Sequence, residues 1–210
     1  MERLSIEERV EGFRRFFAMD NRDGPLVGFF WGTYYPWKRY RAAAAIPGGP
    51  FGPDSLDPTA FVPDYQRLHE QYEQGGGDFI WSGSAFWGVP WMEALCGCPV
   101  VADHDTGSAR SHPPDAVRPP ESAAGSPWGQ KAAEFLRVLN ASAAGQYPMG
   151  TTLMRGLSDV LAALYGSPDF VFNLADHPDE ADRVLEQIAD LWIQFARVQL
   201  DAIPDFHGGV

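Results

Sequence analysis

A partial (β/α)8 barrel, with parallel strands inside and helices outside, is the architecture this sequence predicts. Three observations lead there. Short apolar runs alternate with amphipathic helical stretches, the pattern of βα units and a parallel sheet. The stretch from Tyr147 to Gly166 reads as a buried strand, a tight turn at Gly156 and a short helix. The 210 residues fall short of a closed eight-stranded barrel, which needs roughly 250, and the strand candidate at Phe206 has no helix after it. The expected object is one domain over residues 1–210, the front half or more of such a barrel and incomplete at its C-terminal side.

The elements follow in order. Ser5-Ile-Glu-Glu8 is a capping box, and Val10, Phe13, Phe16 and Phe17 give its helix an apolar stripe. Asp23-Gly24-Pro25 ends it, and Leu26–Trp31 runs apolar on both faces, as a buried parallel strand should. Residues 37–45 carry three cations, Lys38, Arg39 and Arg41, and 46–58 are rich in Gly and Pro and read as loop. A helix over about 61–74 stops at Gly75-Gly76-Gly77. Asp78–Trp81 is the next short strand, Trp91–Leu95 is helical and Pro99–Ala102 is extended. Residues 103–127, rich in Pro, Ser and Gly, form a long loop that is either functional or mobile. A long helix covers about 129–144, the strand 147–154 follows, and Ser158 is placed to cap a helix over 159–165. Residues 168–174 and 178–203 are helical, the second presenting Val184, Ile188, Leu191, Phe195 and Val198 on one face. Phe206 opens a last strand.

Composition narrows the function classes. Hydrophobic residues at 45% and charged residues at 21% describe a globular chain with a sizeable core. A net charge of -12 argues against a nucleic-acid surface, since phosphate backbones require clustered Lys and Arg. Seven Trp and fourteen Phe suit either a deep pocket for a flat ligand or a heavily aromatic core. The N-terminus lacks the apolar segment of a secretion signal, no apolar run approaches the ~18 residues of a membrane span, and the two cysteines suit a reducing compartment, so a cytoplasmic location is expected. Neither a dinucleotide fingerprint, nor a P-loop, nor a nucleophile elbow is present.

Arg155 falls at the end of the 147–154 strand, beside a helix start, where a cation either holds an anionic small molecule or pairs with a nearby carboxylate. Glu93 follows Pro90-Trp91 and is read either as a general base or acceptor in a pocket or as a first-turn helix carboxylate favoured by the dipole. Trp31 and Trp81 end their strands and either wall a flat pocket or pack in the core. Cys96-Gly-Cys98 with His104 and His112 invites a metal reading, but the spacing is C-x-C with no second pair, so buried thiols and no metal in this chain are expected.

Four segments in this order resemble the uroporphyrinogen decarboxylase superfamily, which includes the cobalamin-dependent methyltransferases that move methyl groups between corrinoid proteins and thiols. They are Trp91-Met-Glu-Ala-Leu-Cys-Gly-Cys-Pro99, the stretch Tyr147–Gly166, the helix opening Asp176-His-Pro-Asp-Glu180, and Gln199-Leu-Asp-Ala-Ile-Pro-Asp-Phe-His-Gly-Gly209. The resemblance implies a (β/α)8 barrel with its site at the C-terminal ends of the strands, and it is greatest to the methyltransferase-like branch. In that frame His207 meets the barrel mouth as a polarising group or metal ligand, unless it is structural. The chain departs from the decarboxylases in two places. Their Arg-Gln-Ala-Gly-Arg segment after the first strand is replaced by Phe30-Trp-Gly-Thr-Tyr-Tyr-Pro-Trp-Lys-Arg39, and Gly83 stands where their catalytic Asp would be.

Both departures argue against porphyrinogen decarboxylation. The resemblance implies instead a corrinoid on a partner protein, with zinc held by His and Cys of later strands absent from this chain. On this reading Glu93 and His207 are the catalytic candidates, and Arg155, Trp31 and Trp81 bind the ligand. The other expectation is a non-catalytic or truncated barrel that binds a ligand or partner chain, and the exposed edge of an open barrel favours a homo-oligomer.

Overall fold

The computed structural model describes residues 4–20, 24–30 and 32–209. Helix α1 spans Ile6–Phe17 and α2 spans Pro36–Arg39, followed by a 3-10 turn over Arg41–Ala45. Strand β1 is Gly49–Phe51, and a second 3-10 turn covers Pro53–Ser55. Then come α3 (Pro58–Gly75), α4 (Trp91–Leu95), β2 (Val100–Asp103) and β3 (Ser108–Ser111). The chain continues through α5 (Pro127–Ala143), α6 (Leu157–Tyr165), α7 (Asp169–Asp176) and α8 (Pro178–Leu200).

The partial barrel is not what forms. Among the described residues the sheet has three short strands in the order β1-β2-β3, all antiparallel, with Phe51 opposite Val100 and Val100 opposite Ser111. Of the five expected strands, only the one near Val100 exists among the described residues. Segment 24–30 has no ladder, and Val27, Phe29 and Phe30 are 45%, 42% and 60% exposed. A parallel strand is buried on both faces, so side chains this open cannot belong to one. Between segments 78–83 and 147–154 the backbone pairing is a single parallel bridge, Gly83 to Met149, closed by the Gly83 amide on the Pro148 carbonyl (3.0 Å) and the Gly150 amide on the Gly83 carbonyl (2.7 Å). Pro148 has no amide with which to extend a ladder. Phe206 makes a local antiparallel bridge to Gly209.

Two segments expected to be loop carry the sheet instead. Residues 46–58 contain β1, whose Pro50 is tolerated because β1 is an edge strand. Residues 103–127 contain β3, reached through a turn in which Asp103 Oδ1 accepts from the amides of Asp105 (3.0 Å) and Thr106 (3.1 Å). Asp103 is thereby held below the usual carboxylate range, chiefly by the Thr106 amide.

The helices match the sequence pattern more closely. The Ser5–Glu8 capping box closes as expected, with the Ser5 amide on Glu8 at 2.7 Å and the Glu8 amide on Ser5 Oγ at 3.2 Å. Asp57 caps α3, and Gly76 ends it at φ 72°. Helix α6 differs: it begins at Leu157 with Gly156 as its cap, so Ser158 lies inside the helix and caps nothing.

The core is built on aromatic rings. Phe86 sits 4.7 Å from Phe61, 5.3 Å from Tyr40 and 5.7 Å from Trp37, centroid to centroid, and Phe61 reaches Phe135 at 5.3 Å. These rings join α2, α3 and α5 around the segment after Gly83. Helix α8 closes the other side with Val184, Ile188, Leu191 and Phe195 buried. No helix among the described residues is long and apolar enough to cross a membrane.

Candidate functional site

The residues that shape the site are fixed by hydrogen bonds onto the segment from Gly83 to Pro90. Trp37 Nε1 donates to the Gly88 carbonyl (2.8 Å), Trp91 Nε1 to the Phe86 carbonyl (2.9 Å), and Thr152 Oγ1 to the Ala85 carbonyl (3.0 Å). Thr152 is held from the other side as well, its amide donating to Gln199 Oε1 at 2.8 Å. Both Thr152 and Gln199 are buried. The extended stretch before α6 is therefore anchored three residues ahead of Arg155, which fixes where that side chain leaves the backbone.

Arg155 and Glu93 come together. Arg155 Nε lies 3.3 Å from Glu93 Oε1, with Glu93 1% exposed and Arg155 half exposed. The contact is an ion pair without hydrogen-bond alignment, and neither Glu93 oxygen has a hydrogen-bond partner among the described residues. Burial pushes the Glu93 carboxyl up, its own backbone amide and Arg155 pull it down, and Asp159 pushes it up. The outcome is a raised pKa: burial outweighs the cation. No hydrogen bond or ion pair to another described residue occupies Nη1 or Nη2 of Arg155.

Arg155 lines a cleft of about 220 Å³ together with Tyr34, Trp87, Ser108 and Leu153. Tyr34 and Trp87 stand edge to face at 5.5 Å and make its aromatic wall. Neither was marked as a site residue by the sequence pattern. The available signal was the crowding of aromatics beside Pro and Gly, in Tyr34-Tyr35-Pro36 and Phe86-Trp87-Gly88, where rings are presented from irregular backbone.

The other candidates fall elsewhere. Trp81 is half buried against Tyr147 (4.6 Å) and Tyr65 (6.1 Å), and it lines a separate cavity of about 320 Å³ with Phe29, Phe30 and Phe79. His207 is exposed, with a φ of 50°, its ring on Phe206 and its carbonyl accepting from Arg14 at 3.4 Å. None of its contacts is to Glu93 or Arg155. Trp31 lies outside the described residues.

Cys96 and Cys98 are buried free thiols, each pushed up to about 12, first by burial. Among the described residues no three His, Cys, Asp or Glu side chains converge as a metal ligand set, and His104 turns instead to the Ile46 carbonyl at 2.8 Å. Gly83 is also tightly enclosed: a Cβ there would lie 2.8 Å from Met149 Sδ. No family model, curated protein or solved structure matches the chain.

Proposed function

We propose that this chain is a uroporphyrinogen decarboxylase-like protein that binds a carboxylate-bearing small molecule in the Arg155 cleft and takes part in corrinoid-dependent methyl transfer rather than porphyrinogen decarboxylation. The observation that carries the reading is convergence. Three of the four segments that resemble the superfamily meet at one place: Glu93 from Trp91–Pro99, Arg155 and Thr152 from Tyr147–Gly166, and Gln199 from the last segment.

The chemistry of the cleft follows from the commitment of Arg155. Its Nε is drawn to Glu93, which sets the plane of the guanidinium and leaves the Nη1–Nη2 edge for a second carboxylate. Glu93 is the positioning residue in this arrangement. Tyr34 and Trp87 supply the apolar wall along which the rest of the ligand lies. A corrinoid on the partner supplies the methyl group, and the role of this chain's own residues is to hold the acceptor. The enclosure of Gly83 supports the exclusion of decarboxylation, because a carboxylate at that position requires Met149 to move.

In a second reading the chain binds this ligand without catalysing its reaction.

The test uses methylcobalamin as donor and 3-mercaptopropionate as acceptor, with methylcobalamin loss followed by absorbance and acceptor binding followed by calorimetry. Expected are demethylation above the protein-free rate and a loss of about tenfold in 3-mercaptopropionate affinity in Arg155→Ala, with 2-mercaptoethanol unaffected by the substitution. Binding without demethylation selects the second reading. Absence of Arg155-dependent binding, or turnover of uroporphyrinogen, overturns the proposal.

A further inference from the structure

A second cavity, larger than the Arg155 cleft, lies apart from it. It holds about 600 Å³ and lies between the end of α4, the turn after it and the start of α5. The two cavities share no lining residue, although Ala94 and Leu95 of α4 line this one while Glu93 turns to Arg155. In a chain of net charge -12, this cavity is lined by one cation, Arg118, and by no carboxylate. Arg118 is exposed and has no ion pair with another described residue.

Ser126 is the observation that points to a ligand. It is the N-cap of a 17-residue helix, yet its side chain makes no capping hydrogen bond. It is 7% exposed, it lines the cavity, and its hydroxyl has no partner among the described residues. The hydroxyl opens on the cavity at the positive end of α5. Pro127 brings no amide, and the amide of Trp128 has no intrahelical partner. The loop that carries Ser126 is pressed onto the helix start, where a Cβ on Gly129 would come within 1.9 Å of the Ala123 carbonyl oxygen. The backbone that carries Ser126 is thus held close to the helix start.

We infer that this cavity is a second ligand site, which takes the phosphate of a phosphomonoester with an apolar body. The phosphate sits at the start of α5, receiving the Ser126 hydroxyl, the Trp128 amide and the Arg118 guanidinium. A phosphate, with three terminal oxygens and up to two charges, gains more from these donors and from the helix dipole than a singly charged carboxylate does. Leu95, Pro120 and the Trp128 ring line the space for the apolar body.

Phenyl phosphate is the probe, followed by the amide and indole resonances of Trp128 and by calorimetry. Saturable binding in the millimolar range or tighter is expected, weakened about tenfold by Arg118→Ala and by Ser126→Ala. Arg155→Ala should leave it unchanged, which separates this site from the cleft proposed above. Ser126→Ala removes no capping bond, so it should bind less without melting lower; a lower melting temperature with unchanged affinity gives Ser126 a structural role and overturns the inference. Binding lost in Arg155→Ala but kept in Arg118→Ala, or no saturable binding at millimolar concentration, overturns it as well.

Discussion

Glu93 is the residue on which burial and pairing disagree. Arg155 approaches it to 3.3 Å, yet its pKa is raised, because the guanidinium is half exposed while the carboxylate is enclosed. A carboxyl whose pKa is raised on folding binds its proton more tightly in the folded state. Its cost is absent below the ordinary value of 4.5 and grows as pH rises through the folded pKa. Glu93→Gln, which cannot ionise, should therefore be more stable than the parent at about pH 8, by on the order of 1 kcal/mol or ~2–4 °C, and level with it near pH 4. Thermal melts at the two pH values check this, and a pH-independent difference refutes it. The thiols give a second residue-scale prediction. With pKa values of about 12 for Cys96 and Cys98, about one thiol in ten thousand is ionised at pH 8. Both should react with a thiol-exchange dye only slowly in the native protein and fast in denaturant. Rapid native labelling of either contradicts the burial.

At the scale of elements, the sequence was legible where the determining interaction is local. The capping box at Ser5 closes within three residues, and α4 spans Trp91–Leu95 as its pattern predicts. The apolar face of α8 follows the 3.6-residue period from Val184 to Phe195. It then departs from the pattern: Val198 is only half buried, and Gln199 takes the buried position. Periodicity of apolar residues cannot find a Gln whose purpose is to accept an amide from a distant segment. The strands failed for the same reason in stronger form, since a short apolar run is a strand only if another segment supplies a ladder. The β2–β3 hairpin did have a local signal, the Asp103 side chain over a turn ending in Gly107 at φ 69°. The Pro and Ser around it masked the signal. Gln199→Ala leaves the buried Thr152 amide without its acceptor and should cost about 1–3 kcal/mol. The exposed Gln187→Ala on the same helix should cost a few tenths. Equal melting temperatures for the two variants would show that the Gln199 bond carries no stability.

Over the whole molecule, what distinguishes the structure from the expected barrel is how its N-terminal helix is held. A barrel buries an apolar stripe of each outer helix, and Val10, Phe13, Phe16 and Phe17 were read as that stripe. Instead Phe16 and Phe17 are 45% and 78% exposed, and the buried residue of α1 is Arg9. Its Nη1 reaches Glu73 Oε1 of α3 at 2.6 Å, with the two side chains 1% and 6% exposed. Phe13 adds an edge-to-face contact with Phe79 at 5.4 Å. The apolar area α1 buries is therefore small, and an enclosed charge cluster, Arg9 with Glu73 and His69 4.0 Å from the same carboxylate, lies beneath it. Such a pair behaves asymmetrically: losing one member costs much more than losing both, because the remaining charge stays desolvated without its counter-ion. Arg9→Met should thus destabilise the protein by about 3–5 kcal/mol and open α1 to proteolysis, while Arg9→Met with Glu73→Met recovers most of the loss. The measurements are denaturant midpoints and the rate of cleavage within residues 6–17. If the double variant is no more stable than Arg9→Met, the ion pair is not what seats the helix. Its position would then rest on the Phe13–Phe79 contact, which Phe13→Ala would expose by releasing α1 where the charge variants do not.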